Sequence, residues 1–97
     1  MRIIWHETAR NDLVALRRYI ADHNPQAAAE VAARIRGAVR SLSIHPYLGR
    51  PGRVADTREL VITNTPYLVA YAVDGDDVLI LAVIHGARRW PERFPDR

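Results

Sequence analysis

Four residues with useful chemistry lie at the end of an apolar segment, VLILAVIH. The segment ends in His85, and Arg88, Arg89 and Trp90 follow closely. A histidine can transfer protons near neutral pH, arginines can hold phosphate, and an aromatic ring can stack on a base. Together they predict an RNA-cleaving or RNA-binding surface. The structural alternative is that His85 hydrogen-bonds at a strand end while Trp90 and Phe94 pack the tail onto a sheet.

A second group of cations lies in the segment GRPGRVADTREL, where Arg50, Arg53 and Arg58 are followed by Glu59. Closely spaced arginines on a loop rich in glycine and proline predict an anion-binding rim. The alternative is a structured connection in which Arg53 or Arg58 forms an exposed ion pair with Asp56 or Glu59, which would contribute little energy.

Tyr67 and Tyr71 occupy one face of a predicted strand. They could stack on bases, although aromatic residues at alternate strand positions are also typical of a core. The four histidines lack paired metal-ligand spacing, DGDD has the spacing of a turn, and there is no cysteine. The chain also lacks a phosphate-cradling glycine motif and a nucleophile elbow. We therefore expect no metal and no cofactor.

The composition is that of a single globular domain spanning residues 1–97. All 14 basic residues are arginine and the net charge is +3. This favours an acidic protein or a nucleic acid as partner, although a high-GC genome also produces such a composition. No segment reaches the roughly 20 apolar residues of a membrane helix, and no signal-peptide pattern opens the chain. These features predict a cytoplasmic protein with no membrane partner.

Apolar residues recur at helical spacing from position 9 to 20 and again from position 28 to 42, which predicts two amphipathic helices. Between them, Asn24 is a typical N-cap and Pro25 suits a first helical position. The short connection predicts an antiparallel helical hairpin.

Four further segments have the character of strands: RIIW, RELVITN, YLVAYAV and VLILAVIH. The last is apolar on both faces and should be central. The order βααβββ, with a C-terminal tail, predicts an α+β fold in which the helical hairpin packs on a small antiparallel sheet. We expect Tyr67 and Tyr71 to lie on the face that the helices leave uncovered, bordered by arginines.

Three blocks, in this order, resemble the RelE/ParE superfamily of toxins from bacterial type II toxin–antitoxin modules: ARNDLVALRRYIADHNPQAA, HPYLGRPGRVADTREL and PYLVAYAVDGDDVLILAVIHGARRWP. The family fold, two helices on an antiparallel sheet, agrees with the predicted architecture. The resemblance implies a growth-inhibiting toxin silenced by an acidic cognate antitoxin in a hetero-oligomer, with operator DNA contacted only through the antitoxin.

Members of this superfamily differ in target: RelE-like toxins cut mRNA on the ribosome, whereas ParE-like toxins block DNA gyrase. For a metal-independent nuclease we expect His85 as acid or base and Arg58 and Arg88 as phosphate ligands. The other predicted contacts to the target or to RNA are Arg50, Arg53, Tyr67, Tyr71, Arg89 and Trp90.

The sequence departs from the nuclease pattern on two strands. Leu68 stands where RelE-like nucleases usually have an arginine, and their preceding basic pair falls at Glu59 and Val61. An apolar side chain cannot stabilise a phosphate, so these departures favour a ParE-like gyrase inhibitor. The ribosome-dependent nuclease is the alternative, and a non-toxic antitoxin-binding module is a third hypothesis.

Overall fold

The computed structural model describes residues 1–87 and Phe94, and the predicted order of helices and strands is confirmed. The elements are β1 (Arg2–Trp5), α1 (Glu7–Ala21), α2 (Pro25–Ser41), β2 (Arg50–Pro51), β3 (Arg58–Val61), β4 (Tyr67–Asp74) and β5 (Asp77–His85). The two-residue strand β2 was not anticipated, since its proline and neighbouring glycines are typical of a loop.

The five strands form one sheet in the order β1-β5-β4-β3-β2. β5 is therefore internal, as its apolar character predicts. The pairs from β2 to β5 are antiparallel, whereas β1 runs parallel to β5. The sheet is thus mixed, and not antiparallel throughout as predicted from the sequence. The connection from β1 to β5 contains both helices and three strands, which is long enough for β5 to run parallel to β1.

The helical hairpin has the predicted connection. Asn24 caps α2, its side-chain oxygen accepting the Ala27 N–H at 3.1 Å, and Pro25 occupies the first turn. This cap satisfies one of the N–H groups that a helix start leaves without a partner. The buried positions of both helices, Ala9, Leu16, Ala28, Ala32, Ile35 and Val39, fall on the predicted stripes.

The main core lies between the hairpin and one face of the sheet, and Tyr67 and Tyr71 belong to it. They pack in one cluster with Leu16, Ile35 and Val69, and Tyr71 is fully buried. The expectation that these tyrosines line the uncovered face is therefore wrong. Strand alternation correctly places them on a common face, but that face is the one the helices cover.

The hydroxyl group of Tyr71 links the sheet to the loop that follows α2. It donates a hydrogen bond to the Pro46 carbonyl at 2.8 Å and accepts one from the Gly49 N–H at 2.8 Å. Gly49 is required here, because a Cβ at this position would lie 2.7 Å from the Glu59 carbonyl oxygen and 2.8 Å from the Tyr71 ring. The buried phenol therefore fixes the path of residues 46–49.

Glu59 organises the second half of the same connection. Its carboxylate is buried and accepts hydrogen bonds from the Arg53 N–H at 2.8 Å, the Arg53 guanidinium at 3.1 Å and the Arg50 guanidinium at 3.1 Å. Burial alone would raise the pKa of Glu59, but the bonds from Arg53 and Arg50 outweigh burial and hold the pKa below its ordinary value. Both arginines are thus engaged by one carboxylate.

The opposite face of the sheet carries a smaller apolar cluster of Ala72, Leu79 and Leu81. Ile4 and Phe94 pack against it. The packing of Phe94 onto the sheet, one of the two sequence alternatives for the tail, is therefore confirmed for this residue.

Removal of the Tyr71 hydroxyl should destabilise the fold. We expect Tyr71→Phe to lower the free energy of unfolding by about 1–3 kcal/mol, because it leaves the Gly49 N–H without its buried acceptor. Denaturant titration measures this change. Tyr67→Phe on the same strand face is the matched control, since no hydrogen bond from its hydroxyl is found among the described residues. Equal stability of the two variants would contradict this role.

Neutralisation of Glu59 should make stability less dependent on pH. Because its folded pKa lies below the unfolded one, its contribution is complete above the unfolded pKa and is lost as the pH falls through the folded pKa. Glu59→Gln should therefore cost about 1–2 kcal/mol at pH 7 and progressively less towards pH 3. Asp77→Asn, which breaks the exposed pair with Arg2, is the control and should cost far less. A constant difference between Glu59→Gln and wild type from pH 7 to 3 would refute this account.

Candidate functional site

His85 ends β5, opposite Tyr67 at the start of β4. The two rings meet edge to face, with centroids 5.5 Å apart and planes inclined at 82°. The Nδ1 atom of His85 accepts the Ala87 N–H at 3.1 Å. Since an accepting ring nitrogen carries no proton, a neutral His85 in this conformation has its proton on Nε2. The half-buried ring is thus oriented by the strand end and the tyrosine.

A groove runs beside this histidine, between α1, the start of β4 and the end of β5; we name it the His85 groove. Its lining includes Thr8, Asp12, Tyr19, Pro66, Tyr67, Val83, His85 and Phe94. Tyr67, the first residue of β4, is buried in the core but also lines this groove. Tyr71, four residues further along β4, does not.

Asp12 lines the His85 groove and was not singled out from the sequence. Its Oδ2 accepts the Val83 N–H at 3.0 Å, linking α1 to β5. β1 ends opposite Ile80, so the carboxylate takes the place of a strand partner beyond that point. The sequence carried one indication of this role. Asp12 lies three residues after Ala9 and four before Leu16, which places its acidic side chain beside the buried stripe of α1.

The arginines of the 49–60 segment have internal partners. Arg50 and Arg53 bind Glu59, as described above, so the predicted pairing of Arg53 with Glu59 is confirmed. The pair is not exposed, however, because the Glu59 side chain is 2 % accessible. Arg58 donates to the carbonyl oxygens of Gly49, at 2.9 Å, and Tyr47, at 3.4 Å. These bonds direct the Arg58 guanidinium towards the loop before β2.

Arg58 and His85 lie far apart in the sheet. Arg58 is opposite Tyr71 and His85 is opposite Tyr67, four residues away along β4 and two strands away from β3. Strand geometry then gives a separation of about 16 Å between their Cα atoms. The structure does not bring these two predicted catalytic residues together. The other predicted residues of the tail, Arg88, Arg89 and Trp90, lie outside the described residues.

Leu68 is on the face of β4 opposite the tyrosines and is buried. Its neighbours on that face, Ala70 and Ala72, are fully buried as well. The position at which RelE-like nucleases carry an arginine is therefore part of a packed apolar face in this chain. Within residues 1–87 and Phe94, no group of three potential metal ligands is present either.

A second groove lies between α1, α2 and β1; we name it the helix groove. Its apolar floor and arginine rim are formed by Ile3, Trp5, Leu13, Val14, Val39, Arg10, Arg36 and Arg40. None of the described residues that line it is acidic. An apolar floor with a purely cationic rim suits an amphipathic segment with acidic flanks. None of these three arginines was a site candidate from the sequence, because each lies on a helix and their common groove forms only when the helices pack.

No helix in the described part of the chain combines the length and the apolar character needed to cross a membrane. The longest, α2, has 17 residues and carries four charged side chains.

Comparisons with known proteins identify the family to which the chain belongs. Residues 3–90 match the family described as the ParE toxin of the type II toxin-antitoxin system parDE. Y4kP of Sinorhizobium fredii, whose name describes it as a toxin, is 44 % identical over 91 residues, which are 94 % of this chain and 94 % of that protein. Toxin RelE2 of Caulobacter vibrioides is 38 % identical over 87 residues, covering 90 % of this chain and 97 % of that protein.

The fold is also similar to a solved chain of the chromosomal ParDE toxin–antitoxin system from P. aeruginosa. The TM-score is 0.77 at 26 % sequence identity, over 88 % of this chain and 95 % of the other. Both the family match and the similar relatives extend over almost the whole sequence. The chain belongs to the ParE toxin family of type II toxin–antitoxin systems, within the RelE/ParE superfamily.

Proposed function

We propose that this toxin acts in the cytoplasm by binding DNA gyrase and blocking it, without breaking bonds itself. The observation that carries the proposal is the separation of about 16 Å between Arg58 and His85. A phosphoryl-transfer site needs its proton acceptor and its cation within reach of the same phosphate. In this structure the Arg58 guanidinium is instead bonded to the carbonyl oxygens of Gly49 and Tyr47, in a different region of the sheet from His85.

The remaining cations near β3 support the same proposal. Arg50 and Arg53 neutralise the buried Glu59, and moving either towards RNA would leave that carboxylate with fewer partners. Leu68 contributes an apolar side chain where a nuclease of this superfamily would place an arginine. The similarity to the ParDE system of P. aeruginosa points in the same direction.

A second candidate function is a ribosome-dependent mRNA endoribonuclease. It is favoured by the orientation of His85, whose Nδ1 is engaged by the backbone, leaving Nε2 as the nitrogen for proton exchange. One relative with 38 % identity is also named RelE2. In this candidate His85 would work with Arg88, and Arg58 would have to leave its present partners.

We further propose that a cognate antitoxin neutralises the toxin in a hetero-oligomer by docking an acidic amphipathic helix into the helix groove. The apolar floor matches the apolar stripe of such a helix, and Arg10, Arg36 and Arg40 match its acidic flanks. Operator DNA would then be bound by the antitoxin rather than by this chain.

Purified toxin should inhibit the supercoiling activity of purified gyrase and leave mRNA intact in a reconstituted translation reaction. His85→Ala should change the inhibitory concentration by less than about tenfold, because a general acid or base would contribute about 10²- to 10⁴-fold. Gel assays of plasmid topology and primer extension measure the two activities. Ribosome-dependent new 5′ ends, with gyrase unaffected, would instead establish the nuclease.

Charge reversal at the helix groove should weaken antitoxin binding. We expect Arg36→Glu combined with Arg40→Glu to raise the Kd for the antitoxin by about tenfold or more, since the new carboxylates would face an acidic partner. Arg34→Glu, also exposed on α2 but outside the groove, is the matched control and should change Kd much less. Isothermal titration measures both constants. If the double variant and the control bind equally well, the groove is not the antitoxin site.

A further inference from the structure

Three large apolar side chains are exposed on the connection between α2 and β2. Ile44, Tyr47 and Leu48 remain 77 %, 66 % and 58 % accessible, respectively. We name residues 44–48 the apolar loop. Single exposed apolar residues are common on soluble proteins, whereas three within five positions concentrate apolar surface on one loop, and exposed apolar surface of this kind favours an interaction site.

The backbone of the apolar loop is fixed from inside the protein. The buried Tyr71 hydroxyl bonds to Pro46 and Gly49, and the Leu48 N–H donates to the His45 carbonyl at 3.2 Å. The Arg58 guanidinium, which also bonds to this loop, lies 5.3 Å from the centre of the Tyr47 ring. The exposed side chains are therefore presented on a preorganised loop, which lowers the entropic cost of binding.

The apolar loop is flanked by cations on both sides in the sequence. Residues 31–55 contain no aspartate or glutamate and five arginines. Arg40, which also lines the helix groove, lies in the last turn of α2 before the loop, and Arg50, whose guanidinium bonds to Glu59 but stays largely accessible, begins β2 after it. A complementary partner surface would have an apolar pocket with an acidic rim. Tyrosine and arginine are also the residues that most often dominate protein interfaces.

We propose that the toxin engages its protein target through the apolar loop, inserting Tyr47 and Leu48 into an acid-rimmed apolar pocket. This inference rests on the proposed function, toxicity by binding a protein. No residue of the loop lines either groove. The two surfaces therefore suit different partners: the groove receives an antitoxin helix, and the loop enters the target.

The test compares three variants expressed without antitoxin at equal soluble protein level. Leu48→Asp places a carboxylate against the acidic rim, and Tyr47→Ala removes the aromatic anchor. Ala29→Asp adds the same charge at an exposed position of α2 outside the loop and both grooves. Growth after induction is the first readout. Inhibition of purified gyrase and binding of purified antitoxin are the second and third.

We expect wild type and Ala29→Asp to arrest growth and Leu48→Asp to fail. With purified gyrase, Leu48→Asp should require about tenfold more protein for half inhibition, and Tyr47→Ala about fivefold more, as for central interface residues. All variants should keep the unfolding temperature of wild type, because the altered side chains are largely exposed. Antitoxin binding should be unchanged.

Several outcomes would overturn the inference. Growth arrest by Leu48→Asp and Tyr47→Ala at the wild-type level would show that the loop does not contact the target. Weaker antitoxin binding by Leu48→Asp would assign the loop to the antitoxin instead. Growth arrest by wild type with unaffected gyrase would refute the proposed gyrase target. The growth of cells expressing the loop variants would still show whether the loop is needed for toxicity. No arrest by wild type would refute both.

Discussion

Strand β5 must be covered on both faces and hydrogen-bonded along both edges, and most of the fold serves that requirement. The helical hairpin covers one face, and Phe94 packs against the cluster on the other. β4 pairs with one edge along its whole length, whereas β1 pairs with the other edge only as far as Ile80. Asp12 then binds the next exposed N–H group, at Val83. Because β4 pairs with β5 as far as its last residue, these contacts also fix the position of His85.

Local patterns were sufficient to predict the helices, the strands and their order. The helical spacing of apolar residues, the Asn24 cap and the two-sided apolar character of β5 each depend on a short window of sequence. These windows also favoured the right superfamily, because its motifs follow the same blocks. The parallel pairing of β1 with β5 could not be obtained in this way, since it joins residues about 75 positions apart.

The candidate site was harder to predict because residue type does not specify a partner. The alternation of Tyr67 and Tyr71 shows that they share a face, but only packing determines which face the helices cover. Arg50, Arg53 and Arg58 have the composition of an anion site, yet the carboxylate and carbonyl groups that they contact belong to the same protein. Asp12 was overlooked because its acceptor role appears only when α1 lies over the free edge of β5.

Because the first strand of the chain pairs with the last, the complete sheet can form only after β5 has been synthesised. During synthesis at about 5–20 residues per second, β5 is completed roughly 4–16 s after β1. Until then the helical hairpin has no central strand to cover, and its apolar stripe must remain open or contact other molecules. The synthesis of the last strand is therefore the step that allows the core to form.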